Sequence, residues 1–546
     1  MAFGLISALA ASVVVILLYR LSRTGRRPEG YPPGPPTLPV IGNLHLMPKK
    51  KGRLQFERWA NEYGPIYSLV LGTQVMVVIS SDKVVKDLLD KRSGIYSSRP
   101  DMYLSQDIAS GGLRMGIMEY GETWRMSRGI FHKGLNIATS RAYIPYQELE
   151  SRAMLLGFLG QPSEFFNHIR RYTNSTMTQA IFGFRTVDIH DPNLQQLVDG
   201  IGKWSQLAGS QSAALLDVFP ILRRLPDAVL PSRRYAKKLH EKELAMYLGH
   251  YLSAKKRLLE GKAKPCIASE IVRAQDELGF SDSRAGYLNG TILEAGSDTS
   301  ASTLIGFVQA MLIFPEVSKL AQAEIDEVCG DRIPSLDDLP DLPYIRGCVK
   351  ESMRWMPTTM LGLPHATIRD DEYLGYKIPK GAAVVLNVWA IHNDASRYPE
   401  PRRFDPSRWA HDSQTSAESA NNQDPSKRDQ FAFGAGRRIC QGIHIADRAL
   451  FLGISRLLWA FDFQKPVDPS TGEEIVPDME DLDEGLLACP NPFGADIKPR
   501  SASRAEAVRA EWDKMAELLD GDLQWKEVPE GVVGGVYVPD ETKADL

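Results

Sequence analysis

Cysteine is scarce in this chain, with five residues in 546. Four of them have no CxxC partner and no zinc-finger spacing, which excludes a disulfide framework and a cysteine-rich metal site; these reduced thiols are Cys266, Cys329, Cys348 and Cys489. An excess of one charge is also lacking, because 64 basic and 68 acidic residues leave a net charge of −4. This balance shows no footprint of nucleic-acid binding. The sequence has no internal repeat, P-loop or GxGxxG fingerprint, so it predicts no repeat architecture and no nucleotide site of its own.

The fifth cysteine, Cys440, lies in the segment FGAGRRICQG at residues 433–442. Its glycines allow the backbone to turn tightly and to point N–H groups at the sulfur. The residues that follow, GIHIADRALFLGISRLLWAF, have the apolar periodicity of a helix. Cys440 is therefore expected at a helix N-terminus, where the helix dipole stabilises a thiolate. The segment predicts a thiolate ligand for a haem iron, in preference to a buried structural cysteine.

Five residues of this segment resemble the cysteine loop of the cytochrome P450 family: Phe433, Gly436, Arg438, Cys440 and Gly442. The resemblance implies haem b, with Cys440 as the axial ligand of the iron and the other four residues framing the cofactor. A thiolate ligand favours cleavage of the O–O bond, and the charge of Arg438 suits a haem propionate. The fold implied is mainly α with small β-sheets, a helical prism around the haem, preceded by an N-terminal transmembrane helix.

A helical sequence contains the motif AGSDTS at residues 295–300. Leu288, Ile292, Ala295 and Thr299 fall on one face of this helix. The Thr299 hydroxyl is placed to donate to the Ala295 carbonyl and open the helix locally. In the family that the chain resembles, this groove binds oxygen and water, and Asp298 and Thr299 match the acid–alcohol pair that delivers protons. Without the cysteine loop, the motif would indicate a polar notch in a core helix.

An ExxR pair, Glu351 and Arg354, occurs in the sequence KESMRW. The spacing of three residues puts both side chains on one helical face, where they can form an ion pair. The segment PRRF at residues 401–404 follows, and the resemblance adds its Arg403 to the pair. The three residues are expected to form a buried charge network that braces the cysteine loop, and breaking such a network costs roughly 3–5 kcal/mol.

Haem propionates are expected to bind three further residues. Trp124 and Arg128 lie one helical turn apart in WRMSR, which matches the WxxxR pattern of the family. His365, in LGLPHATIR, occupies the position of a propionate-binding histidine or arginine. His444 lies one helical turn after Cys440 and is interpreted as a packed or surface residue, not as an iron ligand.

Residues 1–20 are predicted to be a transmembrane signal anchor. Residues 2–19 carry no charge and end in VVVILLY, which is at the short end of the length that spans a bilayer. A cleaved signal peptide is the alternative, but its cleavage-like sequence ALA at residues 8–10 precedes the apolar run. The flanking basic residues favour a cytosolic location for the chain that follows: Arg20, Arg23, Arg26 and Arg27. We therefore expect a single-pass protein of the endoplasmic reticulum membrane with a cytosolic catalytic domain.

Residues 21–44 are basic and rich in proline, and we predict a stiff extended hinge that leads into the haem-thiolate domain of residues 45–500. Within that domain, residues 65–81 predict a β-hairpin with its turn at Gly72 and Thr73. The segment YKIPKGAAVVLNVWAIH predicts a strand with a turn at Pro379, Lys380 and Gly381, and residues 410–430 predict a polar surface loop. Residues 501–546 contain 11 acidic and 5 basic residues and form an acidic C-terminal extension. Its amphipathic helix either packs on the domain's own surface, which we favour, or docks a partner.

Together these features predict a membrane-bound monooxygenase that inserts one oxygen atom from O2 into a lipophilic small molecule. Electrons are expected from NADPH through NADPH–cytochrome P450 reductase, which would dock on the thiolate face near the basic residues Arg125, Lys133 and Arg437. The contexts PRRFDPSRW and LGLPHAT resemble fungal microsomal members, such as the O-methylsterigmatocystin-oxidoreductase-like group, that tailor secondary metabolites. The alternatives are a haem-thiolate isomerase or dehydratase, a xenobiotic or fatty-acid hydroxylase, and a non-catalytic haem sensor. Asp298 and Thr299 argue against the isomerase and the sensor.

The resemblance also indicates which segments contact the substrate. These are residues 99–123, 206–219 and 360–363, the inner face of the helix at residues 288–299, and the loop at residues 486–490. The loops that shape such a pocket cannot be predicted from one chain, so the substrate itself stays undefined at this stage.

Overall fold

The computed structural model describes Ser12 and residues 23–529. Helices dominate the described part of the chain, as expected. In chain order the α-helices are α1 (Gly52–Tyr63), α2 (Asp82–Val85), α3 (Ser93–Tyr96), α4 (Glu122–Leu135), α5 (Ile137–Arg141), α6 (Ile144–Gly160), α7 (Phe165–Phe182), α8 (Pro192–Ala208), α9 (Gln211–Val218), α10 (Pro231–Leu259), α11 (Ile267–Leu278), α12 (Asp282–Ile313), α13 (Pro315–Cys329), α14 (Pro343–Trp355), α15 (Val388–His392), α16 (Ser416–Ala420), α17 (Ile443–Ala460) and α18 (Ala502–Ala516).

The strands form small sheets at the periphery of the helices. They are β1 (Ile66–Leu71), β2 (Gln74–Ile79), β3 (His365–Ala366), β4 (Asp371–Tyr373), β5 (Tyr376–Ile378), β6 (Ala383–Leu386), β7 (Phe461–Gln464), β8 (Leu482–Glu484), β9 (Ala488–Pro490) and β10 (Asp496–Pro499). The largest described sheet has the order β1-β2-β6-β3, in which β2 and β6 are parallel. The hairpin predicted at residues 65–81 is confirmed, with Leu71 opposite Gln74 at its turn. The turn predicted at Pro379, Lys380 and Gly381 is present between β5 and β6, which lie in different sheets. The strand prediction is wrong for residues 388–392, which form α15.

The long helix α12 forms the centre of the molecule, packed between α7 and α10. The hydroxyl of Ser281 caps its start by accepting a hydrogen bond from the Arg284 amide at 3.2 Å. Nearly every residue from 300 to 312 is buried, because α7, α14 and α17 surround this half. The helix ends before Pro315, since proline disfavours helical backbone in the residue that precedes it.

The basic, proline-rich segment is attached to the domain along part of its length. Arg27 donates hydrogen bonds to the carbonyl oxygens of Gly34 and Ser68, both at 2.9 Å. The Asn43 side chain accepts a hydrogen bond from the Val70 amide at 2.9 Å, which ties the segment to β1. This part of the predicted hinge is therefore hydrogen-bonded to the first sheet.

The predicted anchor at residues 1–20 lies outside the described residues except for Ser12. Across Ser12 and residues 23–529, no single helix has the length and hydropathy of a membrane span. The pair α12 and α13 meets the criterion only when the two helices are combined across a bend of 107°.

The acidic C-terminal segment belongs to the folded domain up to about residue 526. Val508 of α18 and the later residue Trp525 are both buried, and Arg152 of α6 lies 3.0 Å from Glu511 of α18. Trp525 donates its indole N–H to Gln179 Oε1 at 2.5 Å. The helix thus packs on the domain's own surface, which is the alternative that we favoured. Residues 410–430 also fold against the domain, where Lys350 lies 3.0 Å from buried Asp429.

Candidate active site

The loop before α17 is held in a tight conformation by its glycines. Gly436 has a φ of +59°, and a Cβ atom there would lie 1.9 Å from the Leu89 carbonyl oxygen. Its amide donates to Asp90 Oδ1 at 2.7 Å, and the Cys440 amide donates to the Phe433 carbonyl at 2.9 Å. Only glycine fits such a position without displacing the neighbouring backbone. The loop therefore fixes the position of Cys440 from both sides.

Cys440 lies three residues before the first residue of α17, close to the helix N-terminus that the sequence predicts, and lines a cavity. Burial raises the pKa of the Cys440 thiol, whereas the Gly442 backbone and Arg128 act in the opposite direction. A thiolate at this position is thus disfavoured by the protein alone and favoured by any cation in the cavity. This environment suits a metal-binding thiolate.

The cavity has a volume of about 340 Å³ and brings most of the predicted site residues together. Its walls include Trp124, Arg128, Thr299, His365, Phe433, Arg438, Cys440 and Gly442. Two of the predicted catalytic and cofactor-binding residues are not in its lining: Gly436 packs against the Leu89 backbone, and Asp298 lies next to Thr299 on α12. The three predicted brace residues, Glu351, Arg354 and Arg403, also lie outside it.

Three arginine side chains converge on the wall of the cavity: Arg99, Arg128 and Arg438. Arg438 donates to the carbonyl oxygens of Ser97 at 2.7 Å and Met118 at 2.8 Å, but its buried Nη1 has no partner among the described residues. Burial, together with repulsion from Arg99 and Arg128, lowers the pKa of Arg438 to about 8. Such a cluster of cations requires an anion for stability.

The sequence analysis did not identify Arg99 individually and included it only in the predicted substrate-contact segment of residues 99–123. Its Nη1 donates to the carbonyl oxygens of Leu363 at 2.6 Å and Pro364 at 2.9 Å. Burial, with repulsion from Arg128, lowers its pKa to about 9. An arginine in a loop carries no local pattern that would have identified it.

Trp124 and His365 complete this wall. The Trp124 ring lies 4.0 Å from the Arg438 guanidinium carbon and 5.5 Å from that of Arg128. His365 Nδ1 lies 2.7 Å from the Tyr96 carbonyl oxygen, so Nδ1 must carry a proton to donate this bond. Burial, with repulsion from Arg99 and Arg438, holds the pKa of His365 well below its usual value. In the neutral ring Nε2 is a hydrogen-bond acceptor that faces the cavity. Nε2 can donate a hydrogen bond to a propionate only if the bound anion raises the pKa of His365 enough to protonate the ring.

The hydrogen bond predicted at Thr299 of α12 is present, and we call this polar site the Thr299 notch. The Thr299 hydroxyl donates to the Ala295 carbonyl at 2.8 Å, and Thr303 donates in turn to the Thr299 carbonyl at 3.0 Å. Asp298, the predicted partner of Thr299, is half-buried on a different face. Burial raises the pKa of its carboxyl to about 6, with Arg170 opposing this shift. Asp298 can therefore hold a proton close to neutral pH at a position of α12 outside the cavity lining.

The predicted ion pair of α14 is fully buried. Glu351 accepts hydrogen bonds from Arg354 Nε at 2.8 Å and Nη2 at 2.7 Å. Arg354 also donates to the carbonyl oxygens of His392 and Pro401, both at 2.8 Å. The pair thus connects α14 to the segment that leads toward the cysteine loop.

The prediction that the Arg403 side chain joins this pair is wrong. Its guanidinium is half-exposed and lies 3.8 Å from Glu316, and only its backbone carbonyl accepts a bond from Arg354, at 3.3 Å. Neighbouring side chains point in opposite directions here, so Arg402 is the residue that turns inward, donating to the Trp355 carbonyl at 2.8 Å. The side chain that approaches Glu351 is Arg408, at 3.4 Å.

Four of the predicted substrate segments contribute residues to the cavity. They supply Met115 and Ile117, the α12 face with Ile292 and Ala295, Gly362 and Leu363, and Leu487. The segment at residues 206–219 is not in the lining; α8 contributes Ile201 and Trp204 in its place. Sequence reasoning also missed Arg114 and Glu294, two charged residues of the same cavity, because their partners are distant in sequence.

These residues fit a haem. The orphaned Nη1 of Arg438 and the arginine cluster suit two carboxylate groups on one edge of a ligand, while the Cys440 sulfur lies in the same cavity as a soft ligand for iron. The Thr299 notch faces this same cavity.

Comparisons with known proteins agree with this geometry. The cytochrome P450 family model matches residues 32–481. The chain is 59% identical to cytochrome P450 monooxygenase virE of Hypocrea virens, over 98% of this chain and 97% of that protein. It is 52% identical to cytochrome P450 monooxygenase fogE of Aspergillus ruber, over 97% of this chain and 98% of that protein. A zebrafish cytochrome P450 structure with abiraterone shares the fold, with a TM-score of 0.64 and 24% identity over 82% of this chain and all of that chain. The protein belongs to the cytochrome P450 family.

Proposed function

We propose that the protein is a haem-thiolate monooxygenase that inserts one oxygen atom from O2 into a lipophilic small molecule, as a tailoring step in fungal secondary metabolism. The observation that carries this proposal is that Cys440, the arginine cluster and the Thr299 notch line one cavity. Its remaining walls are largely apolar, which suits a lipophilic substrate. Two fungal relatives that share more than half of their residues with this chain are themselves named monooxygenases.

In this proposal the residues divide into three tasks. Cys440 supplies the thiolate ligand, and Arg438, Arg128 and Arg99 bind the two carboxylates of the haem. The bound haem supplies the chemistry of O2 activation, which its thiolate ligand promotes. Thr299 holds a hydroxyl proton inside the cavity, and Asp298, whose pKa is raised to about 6 by burial, supplies protons from the adjacent position of α12 outside the lining.

We further propose that electrons come from NADPH through NADPH–cytochrome P450 reductase at the endoplasmic reticulum membrane. The apolar stretch at residues 2–19 would anchor the chain with its domain in the cytosol. Three exposed basic residues on the thiolate side would contact the acidic surface of the reductase: Arg125, Lys133 and Arg437.

A test uses the microsomal enzyme with reductase and NADPH, and a lipophilic probe that the wild type oxidises. Thr299→Ala is expected to consume NADPH while releasing hydrogen peroxide, with less product per NADPH. The matched control is Ser302→Ala, which removes a hydroxyl from the same helix at a position outside the cavity lining. The proposal is contradicted if turnover does not depend on the reductase, or if Thr299→Ala forms as much product per NADPH as the wild type.

A further inference from the structure

A buried ionic cluster forms part of the cavity wall. Arg114 lies between two carboxylates, with Nη2 at 2.9 Å from Glu243 Oε2 and Nη1 bonded to Glu294 Oε2. All three side chains are less than a tenth exposed. The cluster connects α10, which carries Glu243, to α12, which carries Glu294.

Further contacts hold the carboxylate of Glu294 in place. The Tyr247 hydroxyl donates to Glu294 Oε1, and the Arg114 guanidinium lies 4.1 Å from the centre of the Trp204 ring. Arg114 Nε donates to Ser110 at 3.1 Å, so each of its three nitrogens already donates a hydrogen bond. Each oxygen of Glu294 accepts one of these bonds and keeps a second lone pair. The cluster therefore offers a fixed acceptor and few free donors.

Glu294 is the acceptor that reaches the cavity. Glu294 and Arg114 are lining residues, whereas Glu243 is not. Around them the wall is apolar and consists of Met115, Ile117, Ile201, Trp204 and Leu487. A polar group in such a wall determines the orientation of a ligand, because every other contact is non-directional.

The charge of the cluster favours a neutral partner over a cation. Burial and the charge of Glu294 raise the pKa of Glu243 to about 7, although Arg114 opposes this. The buried Glu243 Oε1 has no hydrogen-bond partner among the described residues, so a proton there relieves an uncompensated charge. With Glu243 protonated, the charges of Arg114 and Glu294 cancel. A substrate ammonium group would then bring an uncompensated charge into the site.

We propose that Glu294 accepts a hydrogen bond from a hydroxyl group of the substrate, an alcohol or a phenol, and so determines which carbon is oxidised. Glu294 precedes Thr299 by five residues on α12, and both residues line the same cavity. The substrate is thus an apolar molecule that carries a hydroxyl group. This inference rests on the proposed monooxygenase function and names the substrate class of the same site.

The test compares two ligands of nearly equal size, 4-phenylphenol and 4-methylbiphenyl, in spectral titrations of the purified haem-loaded enzyme. Greater hydrophobicity alone would favour the methyl compound. The wild type is expected to bind 4-phenylphenol at least tenfold more tightly, since a hydrogen bond to a charged acceptor exceeds the apolar difference. Glu294→Gln is expected to reduce this preference to less than about threefold, and Glu294→Leu to reverse it. Glu243→Gln, in the same cluster but outside the lining, should keep the preference.

Two results would overturn the inference. One is equal or weaker binding of 4-phenylphenol by the wild type, and the other is an unchanged preference in Glu294→Gln. The carbon monoxide difference spectrum of the same samples distinguishes failure of the Glu294 inference from failure of the proposed monooxygenase function. If the thiolate-haem band is present without a hydroxyl preference, the inference about Glu294 fails and the proposed function stands. If the band is absent, both fail.

Discussion

The buried ion pair of α14 allows a quantitative prediction about folding and haem loading. Both side chains are completely buried. In addition to Arg354, Glu351 accepts hydrogen bonds from the Asp405 amide and the Trp409 indole, both at 3.0 Å. Glu351→Ala removes the counter-ion of Arg354 and leaves both of these donors unsatisfied. Breaking a buried pair from one side costs about 3–5 kcal/mol, and this cost falls on the segment between α14 and the cysteine loop.

The assay measures haem per polypeptide by absorbance and resistance to thermal unfolding by circular dichroism. Glu351→Ala is expected to contain little haem and to unfold at a lower temperature than the wild type. The matched control is Arg403→Ala, because the Arg403 guanidinium is half-exposed and lies 3.8 Å from Glu316. Exposed pairs of this kind contribute about 0–1 kcal/mol, so the control should load haem normally. Normal haem content in Glu351→Ala, or equal losses in both variants, would refute this reasoning.

Three further predictions concern proton supply, the cysteine loop and the C-terminal segment. Burial raises the pKa of Asp298 to about 6, so its protonated fraction should decrease as the pH rises through 6, and product per NADPH should decrease with it. In Asp298→Asn the product per NADPH should be lower and independent of pH. An unchanged pH profile in this variant would argue against a role of Asp298 in proton supply. Gly436→Ala would place a Cβ atom 1.9 Å from the Leu89 carbonyl and should lose haem. Gly434→Ala has a similar backbone strain, with a φ of +73°, but meets its nearest atom at 3.8 Å and should lose less haem; equal haem contents would contradict the steric argument. Trp525→Ala empties a buried site and should cost about 3–5 kcal/mol in thermal denaturation, which an unchanged transition would disprove.

Sequence patterns correctly predicted the parts of the molecule whose structure is determined by residues close together in the sequence. The hairpin at residues 65–81 combines alternating apolar residues with a glycine turn. The cysteine loop is specified by its glycines, and the bond between Thr299 and Ala295 follows from a spacing of four residues in a helix. Each of these features is encoded within about twenty residues of sequence.

Contacts between distant segments could not be predicted in the same way. Arg99 reaches the cavity through bonds to carbonyl groups more than 260 residues away. Arg114 meets Glu294 across 180 residues, and neither residue belongs to a recognisable motif. The error at Arg403 has another cause: a pattern identifies which residues are basic, but the local backbone decides which of two adjacent arginines turns inward.

The attached terminal segments show the same limit. Composition indicates a basic hinge and an acidic extension, and both terms describe the charge of these segments correctly. The hydrogen bonds of Arg27 to Gly34 and Ser68, and the burial of Trp525, make parts of both segments integral to the domain. The net charge of a segment indicates its solubility and the charge of the partners that it could bind, but not whether the segment contributes to the core.

The central claim, that Cys440 is the thiolate ligand of a haem in this cavity, is tested most directly by the carbon monoxide difference spectrum of the reduced protein. The comparison uses the wild type, Cys440→Ala and a control variant, Cys489→Ala, whose thiol is partly buried and is not in the cavity lining. We expect a strongly red-shifted Soret band in the wild type and in Cys489→Ala, and we expect this band to be lost in Cys440→Ala. A band that persists in Cys440→Ala, or that is missing from haem-loaded wild-type protein, would contradict the account.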